Sequence, residues 1–223
     1  MADGHHRSAA AYNVGKMRRE RAVKAGQPIS GEEDFNYFMS ILYPSDQLQI
    51  LDYNRLIKTL NGLTTSEFLE RLEETYATVT KIDRDDKRPL RKHTTSLFID
   101  GHWYECEVKQ SAIAKGIEEH GEALKPVASL DVQVLNDRVF SEILGIDNVR
   151  TDNRVDFVGG SRGIEGLVRR CQEDAVAGFA MHPLSINDVL DVADSGLNMP
   201  PKGTWFEPKP RSGFVVRCFE EKN

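Results

Sequence analysis

A short stretch near the start of the chain, ADGHHR, gathers residue types that can bind an anion and transfer a proton. Gly4 lets the backbone turn tightly before a helix, and the first helical turn exposes unpaired N–H groups carrying about half a positive charge. His5, His6 and Arg7 add side-chain donors there, so a phosphate would be well held. Asp3 opposes the anion unless a metal ion or substrate cation lies between them, as Mg²⁺ does when it bridges phosphates. A solvated first turn or a tag remnant is the structural alternative.

Two further stretches carry similar groups. FVGGSRG places Arg162 and three glycines between a predicted strand and a predicted helix. It lacks both the GK[ST] ending of a Walker A loop and the spacing of GxGxxG. MPPKGTWFEPKPRSG is a loop stiffened by prolines that concentrates cations and hydroxyls, namely Lys202, Thr204, Lys209, Arg211 and Ser212. A flexible connection, and a loop that packs Trp205 and Phe206 into the core, explain these two stretches equally well.

Composition limits the class of protein. The 223 residues are 39% hydrophobic and 29% charged, which is typical of a globular chain of one or two domains. The net charge of -6 weighs against a protein that coats nucleic acid. The odd number and wide spacing of Cys106, Cys171 and Cys218 favour free thiols over a disulfide framework. No apolar run approaches a membrane span of about 18 residues, so we expect a soluble cytoplasmic protein.

The elements around the first stretch follow from apolar spacing. Periodic apolar residues predict a helix over residues 5–25, with Gly26 as its stop. The run FNYFMSILY at residues 35–43 predicts an interior strand beside that helix, because nearly every residue is apolar or aromatic. Farther on, YPSDQLQILDYNRL contains Asp46, Asn54 and Arg55, which we interpret as an ordinary turn with a buried polar pair.

Capping and turn signals predict the rest of the architecture. Thr64 with Glu67 forms a capping box that predicts a helix start. The pair Asp100-Gly101 between two β-rich runs predicts a two-residue hairpin. In the second half, strands alternate with helices, which predicts a sheet covered by helices on at least one face. The expected fold class is therefore α+β, a mixed sheet with hairpins and helices packed on it.

Four stretches taken together resemble a known family. ADGHHRSAAA, YPSDQLQILDYNR, RVDFVGGSRG and MPPKGTWFEPKPRSG are similar to the bacterial and archaeal family called domain of unknown function 1015, almost from end to end. Its members carry a ParB-like or SpoOJ-like label. The DGHHR segment resembles the nucleotide-phosphate motif of the ParB and sulfiredoxin superfamily, which includes free serine kinases. The resemblance implies ATP, ADP or another nucleotide with Mg²⁺, and gives Asp3, Gly4, His5, His6 and Arg7 a nucleotide-site role.

The resemblance also implies how the chain is organised. In that family the DGHHR segment lies well inside the chain, so we expect this sequence to be truncated at its N-terminus. Residues 1–60 would be the remnant of a ParB-like nucleotide-site region, packed as one unit with an α+β C-terminal region of residues 61–223. The catalytic glutamate that related kinases supply upstream has no counterpart here. Binding without turnover is therefore the expectation, and enzymatic activity stays open.

Two hypotheses of different classes follow. In the first, a nucleotide-dependent phosphotransferase, Arg7 and the helix start hold phosphates, while Asp3 or a histidine contacts the metal or the accepting hydroxyl. The remaining phosphate-binding candidates are Arg162, Lys202, Thr204, Lys209 and Arg211. In the second, a non-enzymatic regulatory module binds a nucleotide or phosphorylated small molecule and could associate with DNA, although no helix-turn-helix is evident.

A homodimer that covers apolar surface is also expected. If the three stretches serve one ligand, they must converge in space against the repulsion of their cations.

Overall fold

The computed structural model describes residues 3–211 and 213–217, so Ser212 and Cys218 lie outside the described residues. The chain forms two compact units. The terminal unit combines Met1–Gln49 with Phe206–Asn223, and the sheet unit is Ile50–Trp205. The expected organisation, a remnant over 1–60 packed as one unit with 61–223, stays a prediction.

The terminal unit is built on helix α1 (His5–Lys24), as the apolar spacing predicts for residues 5–25. Its described residues also include two short 3₁₀ turns, Asp34–Asn36 and Ser45–Gln47. Gly15 is the buried residue of α1. A Cβ there would lie 2.7 Å from the carbonyl oxygen of Phe35, so only glycine admits the first 3₁₀ turn this close to the helix.

The prediction of an interior strand at residues 35–43 is wrong. After its 3₁₀ turn the run continues without regular structure, and Phe38 and Leu42 are 55% and 91% exposed. A strand needs an edge that pairs with its N–H and C=O groups, and the described part of the chain offers this run none. The apolar composition of residues 35–43 does not indicate whether a partner edge is available to pair with them. The homodimer expected to cover such surface stays a prediction.

The sheet unit contains the strands and helices that position the second stretch. The bounds of its helices are α2 (Thr65–Thr75), α3 (Gln110–His120), α4 (Lys125–Ala128), α5 (Asp131–Leu135), α6 (Gly163–Glu173) and α7 (Ile186–Asp194). A π-helical segment, Asn136–Ser141, continues α5. The strands of the main sheet are β2 (Tyr53–Ile57), β3 (Ala77–Lys81), β4 (Thr94–Ile99), β5 (His102–Val108), β6 (Val155–Gly159) and β7 (Ala177–Met181). Strands β1 (Gln49–Leu51) and β8 (Trp205–Glu207) form a separate two-stranded sheet. The boundaries between the two units of the chain fall within these two strands.

The main sheet has six strands in the order β3-β5-β4-β7-β2-β6, and every neighbouring pair is antiparallel. β4 and β5 are joined by the predicted hairpin, in which Asp100 and Gly101 have φ of 49° and 73°, as a type I′ turn requires. The connection β6-α6-β7 places two parallel strands on either side of β2. These features confirm the α+β class.

Helices cover both faces of this sheet. On one face, Ile57, Leu97 and Phe179 pack with residues of α2, α3 and α5. On the other face, Leu56 and Phe98 pack with Leu167 of α6. The sequence predicted helices on at least one face, and packing on two faces explains why the central strands are apolar in consecutive positions. Among the described residues, no helix combines the length and apolar character needed to cross a membrane.

The capping box of α2 gives a first testable expectation. The Thr64 hydroxyl accepts from the Glu67 amide at 3.3 Å, and the Glu67 carboxylate accepts from the Thr64 amide at 2.8 Å. We expect Thr64→Ala to lower the free energy of unfolding by about 1 kcal/mol, because the first turn loses its side-chain acceptor. Urea unfolding of this variant beside Thr151→Ala, whose exposed residue lies outside the helices, measures the difference. Equal loss in both variants would contradict a capping role.

Candidate anion-binding sites

The first turn of α1 is exposed at His5, His6 and Arg7. Gly4 precedes it in the left-handed conformation, with φ 89° and ψ 22°. No described side chain caps this turn, and the turn contains no acidic residue. The guanidinium of Arg7 folds back over Gly4, since its Nη2 lies 3.3 Å from the point that a Cβ on residue 4 would occupy. Backbone N–H groups and a guanidinium therefore share one exposed helix end.

The carboxylate beside this turn is balanced by a lysine. Asp3 accepts a hydrogen bond from the Gly4 amide at 2.8 Å, and Nζ of Lys209 lies 3.2 Å from its other oxygen. Burial by itself raises the pKa of Asp3, but the Gly4 amide and the Lys209 ammonium outweigh burial and lower the pKa below its usual value. The negative charge that would repel an anion is thus compensated within the terminal unit.

These contacts also bear on a metal ion at Asp3. Both carboxylate oxygens are engaged, one of them by an ammonium group that a divalent cation would have to displace. Within residues 3–211 and 213–217, no group of three or more His, Cys, Asp or Glu side chains is placed to hold a metal ion. Mg²⁺ held mainly by phosphates needs one or two carboxylates, and Asp3 in this arrangement does not fit that need. We assign no step to a metal ion.

The other candidates of the terminal unit are solvent-exposed. His5 and His6 follow each other on the first turn of α1, so their side chains point about 100° apart around the helix axis. They therefore approach a ligand at Gly4 and Arg7 from different directions. Arg211 is also exposed. The first stretch and the second half of the third stretch are thus brought together in this unit through Asp3 and Lys209.

The glycines of FVGGSRG are explained by close packing. A Cβ on Gly159 would lie 2.3 Å from the indole ring of Trp205, and one on Gly160 would lie 2.5 Å from Cβ of Leu51. Gly163 alone of the three has a positive φ, 58°. The stretch is therefore a tight 3₁₀ turn, Gly160–Arg162, between β6 and α6, and its need for glycine is mainly steric.

The second stretch and the first half of the third stretch meet in the sheet unit. The Trp205 ring lies against Gly159 and makes an edge contact with Tyr53, with ring centroids 5.4 Å apart. Nζ of Lys202 lies 5.4 Å from the centroid of the same tyrosine ring, a cation–π arrangement. Arg162 is exposed and Thr204 is half-buried at this end of the sheet. Trp205 therefore packs against Gly159 and Tyr53, and the cations beside its ring stay exposed.

The predicted site residues therefore fall into two clusters, one in each unit. The terminal cluster contains Asp3, Gly4, His5, His6, Arg7, Lys209 and Arg211. The sheet cluster contains Arg162, Lys202 and Thr204. The third stretch crosses the division of the chain between Trp205 and Phe206, so each half belongs to a different cluster. Convergence of all three stretches on one ligand stays a prediction.

Asn54 and Arg55 are buried and make contacts that the sequence interpretation did not anticipate. Both are fully buried in β2. The Arg55 guanidinium donates to the carbonyl oxygens of Tyr53 and Lys202, the second at 3.0 Å. Burial lowers the pKa of Arg55 to about 10, so the group stays charged at neutral pH. The signal available in the sequence was the polar pair Asn54-Arg55 directly before the apolar pair Leu56-Ile57.

A histidine–aspartate pair was also missed. His93 Nδ1 lies 2.6 Å from Oδ1 of Asp131, whose other oxygen accepts from the His93 amide at 2.9 Å. Asp131 is buried, and His93 has a φ of 62°, so the carboxylate fixes both the ring and an unusual turn. The two residues are 38 positions apart, and nothing in the sequence pattern joined them.

The cysteines of the described residues offer no ready nucleophile. Cys106 and Cys171 are free thiols. Burial raises the pKa of Cys106 to about 12 and that of Cys171 to about 11. The thiolate is the reactive form, and burial disfavours it at both positions. The prediction of free thiols is confirmed for these two residues.

The fold and the two clusters define an α+β protein with exposed cations in each unit. The chain belongs to the DUF1015 family, whose description is "protein of unknown function" and whose family model matches residues 1–133. No curated protein matches the sequence.

Among solved structures, free serine kinase variants resemble the chain. Two of them, each with a glutamate replaced by alanine, are complexes with AMP and with ADP; both are 14% identical, with a TM-score of 0.42. The matches cover 92% of this chain and 66% of each kinase chain, so this chain spans about two thirds of their length. The likeness adds nothing to the assignment of site residues.

Proposed function

We propose that the chain binds a nucleotide through its phosphates at the start of α1, in a site of the kinase-like phosphotransferase type. One observation carries the proposal. The Arg7 guanidinium lies over Gly4 at a helix end that no described side chain caps, while Lys209 compensates the nearby carboxylate. Such an arrangement attracts a multiply charged oxyanion and presents both amide and guanidinium donors to it.

Each residue of the terminal cluster has a role in this proposal. The amides after Gly4 hold one phosphate, and Arg7 binds two of its oxygens. Binding without turnover is what we propose for this chain; in a site of this type that also turns over, the hydroxyl oxygen of the acceptor bonds to phosphorus while the bond from phosphorus to the leaving nucleotide oxygen breaks. Asp3, or one of the two histidines, receives the hydroxyl proton. Lys209 orients Asp3, and Arg211 adds positive charge beside the phosphates.

The sheet cluster extends the proposal. Arg162, Lys202 and Thr204 are the remaining phosphate-binding candidates, and their cations are exposed. Their contribution to phosphate binding is tested separately from that of the terminal cluster, by the variants Arg162→Ala and Lys202→Ala.

Calorimetry tests the proposal against the regulatory DNA-binding alternative. AMP, ADP and ATP are titrated into the protein with and without Mg²⁺, and a duplex DNA is titrated in parallel at two salt concentrations. We expect saturable nucleotide binding and no duplex binding at physiological salt. α1 carries several exposed basic residues, among them Arg19, Arg21 and Lys24. Steeply salt-dependent duplex binding without nucleotide binding would therefore favour the alternative.

Asp3→Asn separates binding from transfer. The change removes one negative charge beside the anion and leaves Lys209 in place, so we expect nucleotide affinity to rise about two- to fivefold. If Asp3 accepts the hydroxyl proton, any phosphotransfer by the protein should fall at the same time. Titration calorimetry and a phosphate-transfer assay on the same preparation measure the two effects. Weaker nucleotide binding by this variant would contradict the proposed placement of the phosphate.

A further inference from the structure

A groove in the terminal unit runs along α1, between the helix and the segment of residues 35–38. Its volume is about 400 Å³, which is within the range of small-molecule sites. The helix contributes residues at the spacing of a single face, and they are Ser8, Ala11, Tyr12, Gly15, Lys16 and Arg19. We call this place the α1 groove.

Gly15 allows the two walls of the groove to meet. Glycine inside a helix lowers helix stability relative to alanine, and Gly15 lies in the middle of α1 as its buried residue. A Cβ there would lie 2.7 Å from the carbonyl oxygen of Phe35. The helix therefore carries an unfavourable residue where the second wall packs against it, and a larger side chain would force the walls apart.

Four aromatic rings line the α1 groove, those of Tyr12, Phe35, Tyr37 and Phe38. Tyr12 and Phe38 are 72% and 55% exposed, so a ligand can reach their rings. Tyr37 is held from a residue that does not line the groove, because its hydroxyl donates to Glu32 at 2.5 Å. Aromatic rings around a cavity of this size form a surface on which a planar ring can stack.

The charged side chains that line the groove are both cations. Lys16 and Arg19 line it, whereas no described carboxylate does. Within the described residues neither cation has an ion-pair partner, and the Arg19 guanidinium donates to the neutral amide oxygen of Asn36. The Glu33 carboxylate, which accepts from the Asn36 amide, is already held by backbone amides. The groove therefore favours an occupant that presents acceptors.

The face of α1 that lines the groove extends to the start of the helix. His5 lies three positions before Ser8, so the same spacing places His5 on this face and His6 about 100° away from it. Tyr12 is seven residues from His5, or about 10 Å along the helix. A nucleotide whose phosphates lie at the start of α1 can thus extend its ribose along this face and reach the groove with its base.

We propose that the α1 groove binds the base of the nucleotide and selects guanine over adenine. This inference rests on the nucleotide site proposed at the start of α1. The base stacks on the rings, and Lys16 and Arg19 donate to its edge. Guanine presents two adjacent acceptors there, O6 and N7, which lysine and arginine bind, whereas adenine presents an amino donor beside N7. That amino group would face a cation, and no described carboxylate lines the groove to accept from it.

Calorimetry of the whole chain with inorganic pyrophosphate, ADP and GDP tests the proposal. We expect GDP to bind about tenfold more tightly than ADP, and ADP more tightly than pyrophosphate, because the base adds stacking. Tyr12→Ala should weaken both nucleotides about tenfold and leave pyrophosphate affinity unchanged, since pyrophosphate has no ring. Met17→Ala is the matched control. Met17 is an exposed apolar residue of α1 that does not line the groove, so this variant should bind all three ligands like the natural protein.

Two further variants separate the parts of the groove. Lys16→Met keeps an apolar stem without the charge, and it should reduce the preference for GDP over ADP several-fold. Gly15→Ala should bring the affinity for both nucleotides close to that for pyrophosphate, with thermal unfolding as the check on the fold.

The pyrophosphate titration distinguishes failure of the groove from failure of the phosphate site. Pyrophosphate binding that is lost in Arg7→Ala, together with equal affinities for ADP and GDP, would overturn the groove and leave the phosphate site standing. Unchanged nucleotide affinity in a folded Tyr12→Ala variant would also overturn it. If the natural protein binds neither pyrophosphate nor either nucleotide, the nucleotide site fails and the groove proposal fails with it.

Discussion

Arg7→Ala is expected to weaken nucleotide binding by about 1.5–3 kcal/mol, or about 10- to 150-fold, the usual range for a lost hydrogen bond to a charged group. The guanidinium lies over Gly4 at the start of α1 and can hold two phosphate oxygens at once. The fold should change little, because Arg7 is exposed and such substitutions usually shift stability by less than about 0.5 kcal/mol. Titration calorimetry with ADP and ATP measures the affinity, and thermal unfolding checks the fold.

Two matched variants sharpen this result. Arg21→Ala removes the same charge from an exposed position in the last turn of the same helix, and it should leave affinity nearly unchanged. Arg7→Lys keeps the charge but offers only a point donor, so it should recover part of the lost affinity. Equal losses in Arg7→Ala and Arg21→Ala would mean that α1 acts through its overall charge. Unchanged nucleotide affinity in a folded Arg7→Ala variant would mean that the DGHHR segment is a structural turn and not a binding site.

Gly159→Ala is expected to lower the free energy of unfolding by about 1–3 kcal/mol, the usual cost of overpacking. A Cβ at this position would lie 2.3 Å and 2.5 Å from two carbon atoms of the Trp205 ring, so the ring must move. Its contact with Tyr53 would then be lost. Urea unfolding of the variant gives the difference in stability.

A double-mutant cycle shows whether Trp205 causes that cost. Trp205→Ala removes the ring, and adding Gly159→Ala to it should then cost almost nothing, because the methyl group has space. The coupling between the two changes should equal most of the single-variant cost. Independent, additive effects would mean that the alanine is rejected by the backbone of β6 and not by the indole.

Local signals in the sequence were sufficient for several elements. The capping box at Thr64 and the pair Asp100-Gly101 are confirmed where they were expected. Both depend on atoms within a few residues of each other, so their physics is contained in a short stretch. Helix α1 is likewise confirmed over His5–Lys24. The strand predicted at residues 35–43 does not form. Strand pairing depends on two segments, and the apolar pattern describes only one of them.

The sequence by itself determined the α+β class, the hairpin, the helix starts, and which stretches contain the cations and hydroxyls of the candidate site. Tertiary structure alone decided that Lys209 balances Asp3, that Trp205 rather than a turn demands Gly159, and that Arg55 is buried and donates to the Lys202 carbonyl. The partners in these contacts are separated by 206 residues for Asp3 and Lys209 and by 147 for Arg55 and Lys202. Local patterns encode the conformation of a segment, whereas charge compensation, close approach and burial depend on which distant segment the fold brings against it.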